Sequence, residues 1–151
     1  MSADVISRNF GDMGDDYNGL WETVGQLDDA FDADNADEFI KLFRKYIRIV
    51  SRYQSYWTNI NYIFLKAIEH ERLYIVKKIE KIYRPEENAA VYWAAKTDND
   101  ELVEVLVKRG LKDNLALKAA YENNNIEMFN LLFENGMRFR QDGERYKFNL
   151  Y

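Results

Sequence analysis

The stretch VYWAAKTDNDELVEVLVKRGL, residues 91–111, has a successor in LKAAYENNNIEMFNLLFENGM, residues 117–137. Ala94 corresponds to Ala120, Leu102 to Met128, Leu106 to Leu132 and Gly110 to Gly136, each at an offset of 26. Each copy reads as a helix built on small residues, a polar turn, a second apolar helix and a closing glycine. The glycine has a mechanical reason: it falls where the second helix ends and a positive φ is needed. The turns at 97–100 and 123–125 are short and polar, so successive helices are expected to lie antiparallel. Helices of about 10–13 residues do not hold alone in water and have to stack.

Two weaker copies lie upstream. Phe64, Ala67 and Ile68, followed by Leu73, Ile75, Val76 and Ile79, stand one step earlier, with Ala67 27 residues before Ala94. Leu27 and Ala30, followed by Phe39, Ile40, Leu42 and Phe43, form a longer and more degenerate first pair.

With its alanine-bearing first helix, short turn, second helix and final glycine, the pattern resembles the ankyrin repeat, best over residues 88–137. The step of 26 is shorter than the usual ankyrin period of about 33, and Ala116-Leu117-Lys118 stands where the signature P-L-H would be. Such shortened units are similar to divergent ankyrin-like repeats of large DNA viruses. The period by itself is that of any stack of α-hairpins. The resemblance implies a short solenoid that binds another protein without catalysis, as an adaptor or as an inhibitor of a host or competitor protein, by analogy a viral or phage antagonist.

Periodicity predicts helices over 19–32, 37–53, 57–70, 72–83, 87–97, 99–109, 114–123 and 125–135. The clearest amphipathic stripe is Phe39, Leu42, Phe43, Tyr46, Ile47 and Val50, with Asn35 as its cap and Asp37 and Glu38 in its first turn. After Gly136 the pattern changes to alternation around Asp142-Gly143, a strong hairpin signal. A two-residue turn would put Met137, Phe139, Tyr146, Phe148 and Leu150 on one side and Arg138, Arg140, Arg145 and Lys147 on the other. The expected fold class is therefore all-α, stacked antiparallel helix pairs with a C-terminal β-hairpin. The expected layout is an acidic arm over 1–18, a helical repeat domain over 19–137 and the hairpin over 138–151.

The 151 residues include one proline, Pro85, and no cysteine, which excludes disulfides and thiolate metal sites. No apolar run is long enough for a bilayer crossing, and the N-terminal stretch lacks a secretory pattern; the chain reads as cytoplasmic or nuclear. Net charge is −5, but it is segregated. Residues 1–40 carry eleven acids and one base, residues 41–84 eleven bases and three acids, and residues 85–151 nine bases and twelve acids. Blocks of this kind reflect an internal complement or a surface aimed at a charged partner.

No catalytic constellation, cofactor site or metal site is read from the sequence. His70 is the only histidine. Neither Asp28 nor Asp32 starts a calcium loop: Ala30 and Ala33 would fall on positions 3 and 6, or Ala36 and Phe43 on positions 5 and 12. Gly11 and Gly14 follow no strand and sit among aspartates, so they do not form a phosphate loop. Two basic surfaces remain as candidate partner-binding sites. One is Arg44, Lys45, Arg48 and Arg52 with Tyr53 and Tyr56; the other is Arg138, Arg140, Arg145 and Lys147. The partner expected is a macromolecule, a protein ahead of a nucleic acid. The alternatives are nucleic-acid binding through the basic 41–84 segment and the hairpin, or nucleic-acid mimicry by the acidic N-terminal residues.

Overall fold

The computed structural model describes residues 20–51 and 56–138. Among these residues there are eight α-helices: α1 (Leu20–Asp32), α2 (Ala36–Val50), α3 (Tyr56–Glu69), α4 (Leu73–Tyr83), α5 (Ala89–Lys96), α6 (Asp100–Lys108), α7 (Leu115–Glu122) and α8 (Ile126–Glu134). The chain divides after Pro85 into two compact units, one holding α1–α4 and the other α5–α8.

Four tight turns join α1 to α2, α3 to α4, α5 to α6 and α7 to α8, and they share one design. Asp34, Glu71, Asp98 and Asn124 each stand in the left-handed region, at φ of 51°, 57°, 60° and 53°. Their N–H groups bond the carbonyls of Phe31, Ile68, Ala95 and Tyr121, three residues back. In three of the turns the next N–H is seen to reach back a further step, from Asn35 to Ala30, Arg72 to Ala67 and Asn125 to Ala120. This closes the first helix as a Schellman motif. The following residue then opens the second helix. Asn35, Asn99 and Asn125 accept the N–H groups of Glu38, Leu102 and Met128 on their side-chain oxygens, at 3.3, 3.1 and 3.0 Å.

The first unit is built around large side chains. Phe31, Phe39, Phe43, Tyr46, Phe64 and several isoleucines are fully buried. Phe39 stacks on Phe43 at 5.4 Å, Phe43 on Tyr46 at 5.7 Å, and the Tyr46 hydroxyl donates to Asn59 Oδ1 at 3.3 Å. α2 packs on α1, α3 and α4.

The second unit is built around small ones. Ala90, Ala94 and Ala95 of α5 and Ala116, Ala119 and Ala120 of α7 are buried, and α5 packs directly against α7. Its 26-residue step recurs in the hydrogen bonding. Asn88 Oδ1 accepts the N–H of Lys112 at 3.1 Å, and Asn114 Oδ1 accepts that of Arg138 at 2.9 Å. Gly110 and Gly136 close α6 and α8 at φ of 92° and 98°, with Leu111 and Met137 donating back to Leu106 and Leu132.

The fold of the described residues is all-α, and the C-terminal β-hairpin expected over 138–151 is not seen: no strand occurs among them. Arg138, expected to open the first strand, instead finishes α8. Its guanidinium donates to the carbonyls of Phe133 and Met137 at 2.7 and 2.8 Å and lies 4.3 Å over the Phe133 ring. The physical reason is that alternation states only which side each residue would take in an extended segment. It supplies no third strand to stabilise a lone hairpin, and here it would align Arg140 with Arg145 and Arg138 with Lys147, like charges across one ladder. Residues 139–151, with Arg140, Arg145 and Lys147, lie outside the described residues.

Candidate macromolecular interface

In the first unit, the outer surface of α2 carries Lys41, Arg44, Lys45 and Arg48, and that of α4 carries Lys77, Lys78 and Lys81. On α2 the apolar stripe is buried except at half-buried Leu42, and Lys41, Arg44, Lys45 and Arg48 are exposed. Asp37, Lys41, Arg44 and Arg48 follow a spacing of four, three and four, so they form one row along the helix. On α4, Tyr74, Lys78 and Lys81 follow four and three and form a second row, with Lys77 beside it, three residues from Tyr74 and four from Lys81.

An ion pair links the two helices, which pack on each other. Lys78 Nζ lies 2.9 Å from Asp37 Oδ1, bridging α4 to the first turn of α2. Between them runs a shallow groove with Asp34, Asn35, Ala36 and Asp37 on one wall and Tyr74, Lys77, Lys78 and Lys81 on the other. Lys77 Nζ sits 5.9 Å from the Tyr74 ring. Lys41, Arg44, Lys45 and Lys81 form no ion pair among the described residues. Tyr74 is 63% exposed and Ile82 37% exposed. The surface thus combines bases that have no ion-pair partner among the described residues with two accessible apolar side chains.

The rows are held in place from their ends. Arg72, the residue that opens α4, makes no side-chain cap. The Asp34 carboxylate, from the turn of the preceding hairpin, takes that role by accepting the N–H groups of Tyr74 and Ile75 at 3.1 and 3.0 Å. Arg72 reaches the other way, donating through Nε to the Phe31 carbonyl at 2.8 Å and through Nη1 to the His70 carbonyl at 2.7 Å. The second unit repeats the arrangement with other residues. Asn123 Nδ2 bonds the Ala95 carbonyl at 3.1 Å, and Asn125 Nδ2 bonds the carboxylates of Asp98 and Asp100 at 2.8 and 2.9 Å.

Of the residues expected from the sequence to bind a partner, Arg44, Lys45 and Arg48 stand exposed on α2. Arg48 Nε also donates to the Arg44 carbonyl at 3.4 Å. The helix expected to run to 53 closes at Val50, where the Ser51 N–H bonds the Ile47 carbonyl at 2.9 Å. Arg52 and Tyr53 lie outside the described residues, and Tyr56 is the first residue of α3. Arg138 is engaged by the end of α8. The α4 row was not singled out by sequence reasoning, although Lys77-Lys78 and Lys81 opposite Ile75, Val76 and Ile79 carry the helical spacing that marks an exposed face.

The second unit has a smaller exposed aromatic cluster. Trp93, 38% exposed, meets Tyr92 edge-on at 5.4 Å, and Lys96 Nζ lies 5.3 and 5.6 Å from the two rings. Among the described residues no group of three histidines, cysteines or carboxylates is placed to hold a metal, and no helix is long and apolar enough to cross a membrane. No known family, no curated protein and no solved structure matches this chain.

Proposed function

We propose that this chain is a protein-binding module that acts by occupying a partner's surface, as an adaptor or an inhibitor, and that the α2/α4 face is where it docks. The observation that carries the reading is the Asp37–Lys78 ion pair joining two basic helices, with Lys41, Arg44 and Arg48 exposed on α2 and Lys77, Lys81, Tyr74 and Ile82 exposed on α4. Interfaces are enriched in Arg and Tyr, and accessible apolar side chains among charges are the usual anchors. The ties between adjacent turns support it, because a face that does not rearrange on docking loses less entropy. The ankyrin-like reading of residues 88–137 belongs to the same proposal.

Nucleic acid is the other macromolecule that a basic face suits. A sequence pI of about 5.0 weighs against it, since domains that grip phosphate backbones are usually strongly basic.

The test is affinity capture from native lysate, comparing the full chain with a variant carrying Arg44, Arg48, Lys77 and Lys81 reversed to Glu, each with and without nuclease. A protein captured at defined stoichiometry by the natural chain, retained after nuclease and lost with the variant, is the expected result. Capture that vanishes with nuclease would replace the protein-binding reading by nucleic-acid binding. Capture unchanged by the reversal would move the docking face elsewhere.

A further inference from the structure

We infer that the partner element taken by the α2/α4 face is an acidic amphipathic helix, and that Asp37 holds the place of one of its carboxylates in the free protein. This rests on the protein-binding reading above and names the chemistry of what binds.

Three observations carry it. First, the groove has bases along the α4 wall and two carboxylates on the other, and these two differ in what they do. Asp34 is held by the N–H groups of Tyr74 and Ile75. Asp37 lines the groove with its side chain 88% exposed, and its ion pair there is with Lys78. An incoming carboxylate reaching Lys78 competes with Asp37 alone, and Asp37 is free to turn to solvent. Second, Lys41, Arg44 and Lys81 have no ion-pair partner among the described residues, so the face is complementary to several carboxylates. Third, the exposed apolar side chains, Tyr74 and Ile82, stand eight residues apart on α4, about 12 Å. Tyr74 lines the groove itself, while Ile82 lies about 80° further round the helix, so a partner helix that lays apolar side chains along α4 reaches both. A phosphate backbone has nothing to place on the aliphatic Ile82, whereas an amphipathic helix with carboxylates beside its apolar side chains meets both the bases and the exposed apolar groups.

The experiment is fluorescence anisotropy with the full chain and four probes. These are a helical peptide with leucines one and two turns apart among glutamates, the same composition scrambled, polyglutamate, and a single-stranded RNA oligonucleotide. The leucine-faced peptide is expected to bind tightest. Lys78→Glu with Lys81→Glu is expected to weaken it about tenfold or more, by removing two attractive charges and adding two repulsive ones. Asp37→Asn is expected to tighten it about two- to fivefold, the range of an exposed ion pair. Tyr74→Ser is expected to weaken the leucine-faced peptide and leave polyglutamate unchanged; its exposure makes loss of fold a minor concern, and circular dichroism checks it.

Equal binding of the scrambled peptide would overturn the amphipathic part, and an unmoved affinity in Asp37→Asn would overturn the displacement. Tighter binding of RNA than of any peptide would overturn the acidic-protein assignment. If no probe binds while lysate capture still depends on the four reversed bases, this inference fails and the protein-binding reading stands; if capture is also lost, both fail.

Discussion

Ile75 donates its backbone N–H to the Asp34 carboxylate at 3.0 Å across 41 residues of chain, and with Tyr74 it makes Asp34 the cap of a helix in the neighbouring hairpin. The helix needs this because its own opening residue is Arg72, which carries only donors. Asp34 at the same time holds φ of 51° in its own turn, where Asp and Asn are tolerated better than most residues. One side chain thus closes one hairpin and starts the next.

Asp34→Gly isolates the cap, since glycine accepts the positive φ without strain. It is expected to destabilise the first unit by about 1 kcal/mol, within the range for lost N-caps. Asp34→Ala adds the left-handed penalty of about 1 kcal/mol and should cost about 2 kcal/mol. Urea unfolding followed by circular dichroism checks both. If Gly and Ala behave alike, the strain argument is wrong; if Gly matches the natural chain, the cap contributes nothing.

The two closing glycines should behave alike in spite of different surroundings. A Cβ on Gly136 would lie 2.8 Å from Lys112 Nζ, whereas one on Gly110 meets nothing within 4 Å. The lysine ammonium is the free end of a long side chain and can swing away, so the positive φ governs both positions. Gly110→Ala and Gly136→Ala are each expected to lower stability by about 1–2 kcal/mol. A much larger loss at Gly136 would show that Lys112 is fixed there.

The helices were legible because their boundaries are local. Asn99 and Asn125 cap within three residues, Gly110 and Gly136 close by their own φ, and expected spans such as 99–109 and 125–135 meet Asp100–Lys108 and Ile126–Glu134 within a residue at each end. What joins one hairpin to the next was not legible. Asp98 and Asp100 read as turn and cap acids, and nothing in their neighbourhood announces that Asn125 will bond both. The basic site was half legible for the same reason. The α2 row shows in its own periodicity, but its pairing with the α4 row depends on the Asp37–Lys78 contact between helices. The alternation after Gly136 misled because it is a conditional statement about side-chain parity.

Arg138 gives a prediction opposite in sign to the one that hairpin implied. With like charges across a ladder, reversing Arg138 would relieve repulsion and raise stability. As the residue that bonds the Phe133 and Met137 carbonyls, it lies at the negative end of the α8 dipole, where cations stabilise and acids do the reverse. Arg138→Ala is expected to destabilise the second unit by about 0.5–1 kcal/mol and Arg138→Glu by somewhat more. Thermal melts of the two variants at low and moderate salt check this, and a rise in melting temperature for Arg138→Glu would reject it.

The α2/α4 face should be separable from stability altogether. Lys77, Lys81, Arg44 and Lys45 are exposed, and the ion pair of the face among the described residues is between half-exposed Lys78 and exposed Asp37, a class that contributes about 0–1 kcal/mol. Reversing Lys77 and Lys81 to Glu is therefore expected to leave unfolding free energy within about 0.5 kcal/mol of the natural chain. In a binding assay the same change should be severe. The two readouts together discriminate a docking surface from a structural one: bases kept to neutralise Asp34, Asp37 and Glu38 would make the reversal costly in unfolding, with binding falling only as far as folding does. Chemical denaturation and anisotropy on the same preparation give both numbers, and a stability loss above about 2 kcal/mol would assign the α4 lysines to the fold and not to a partner.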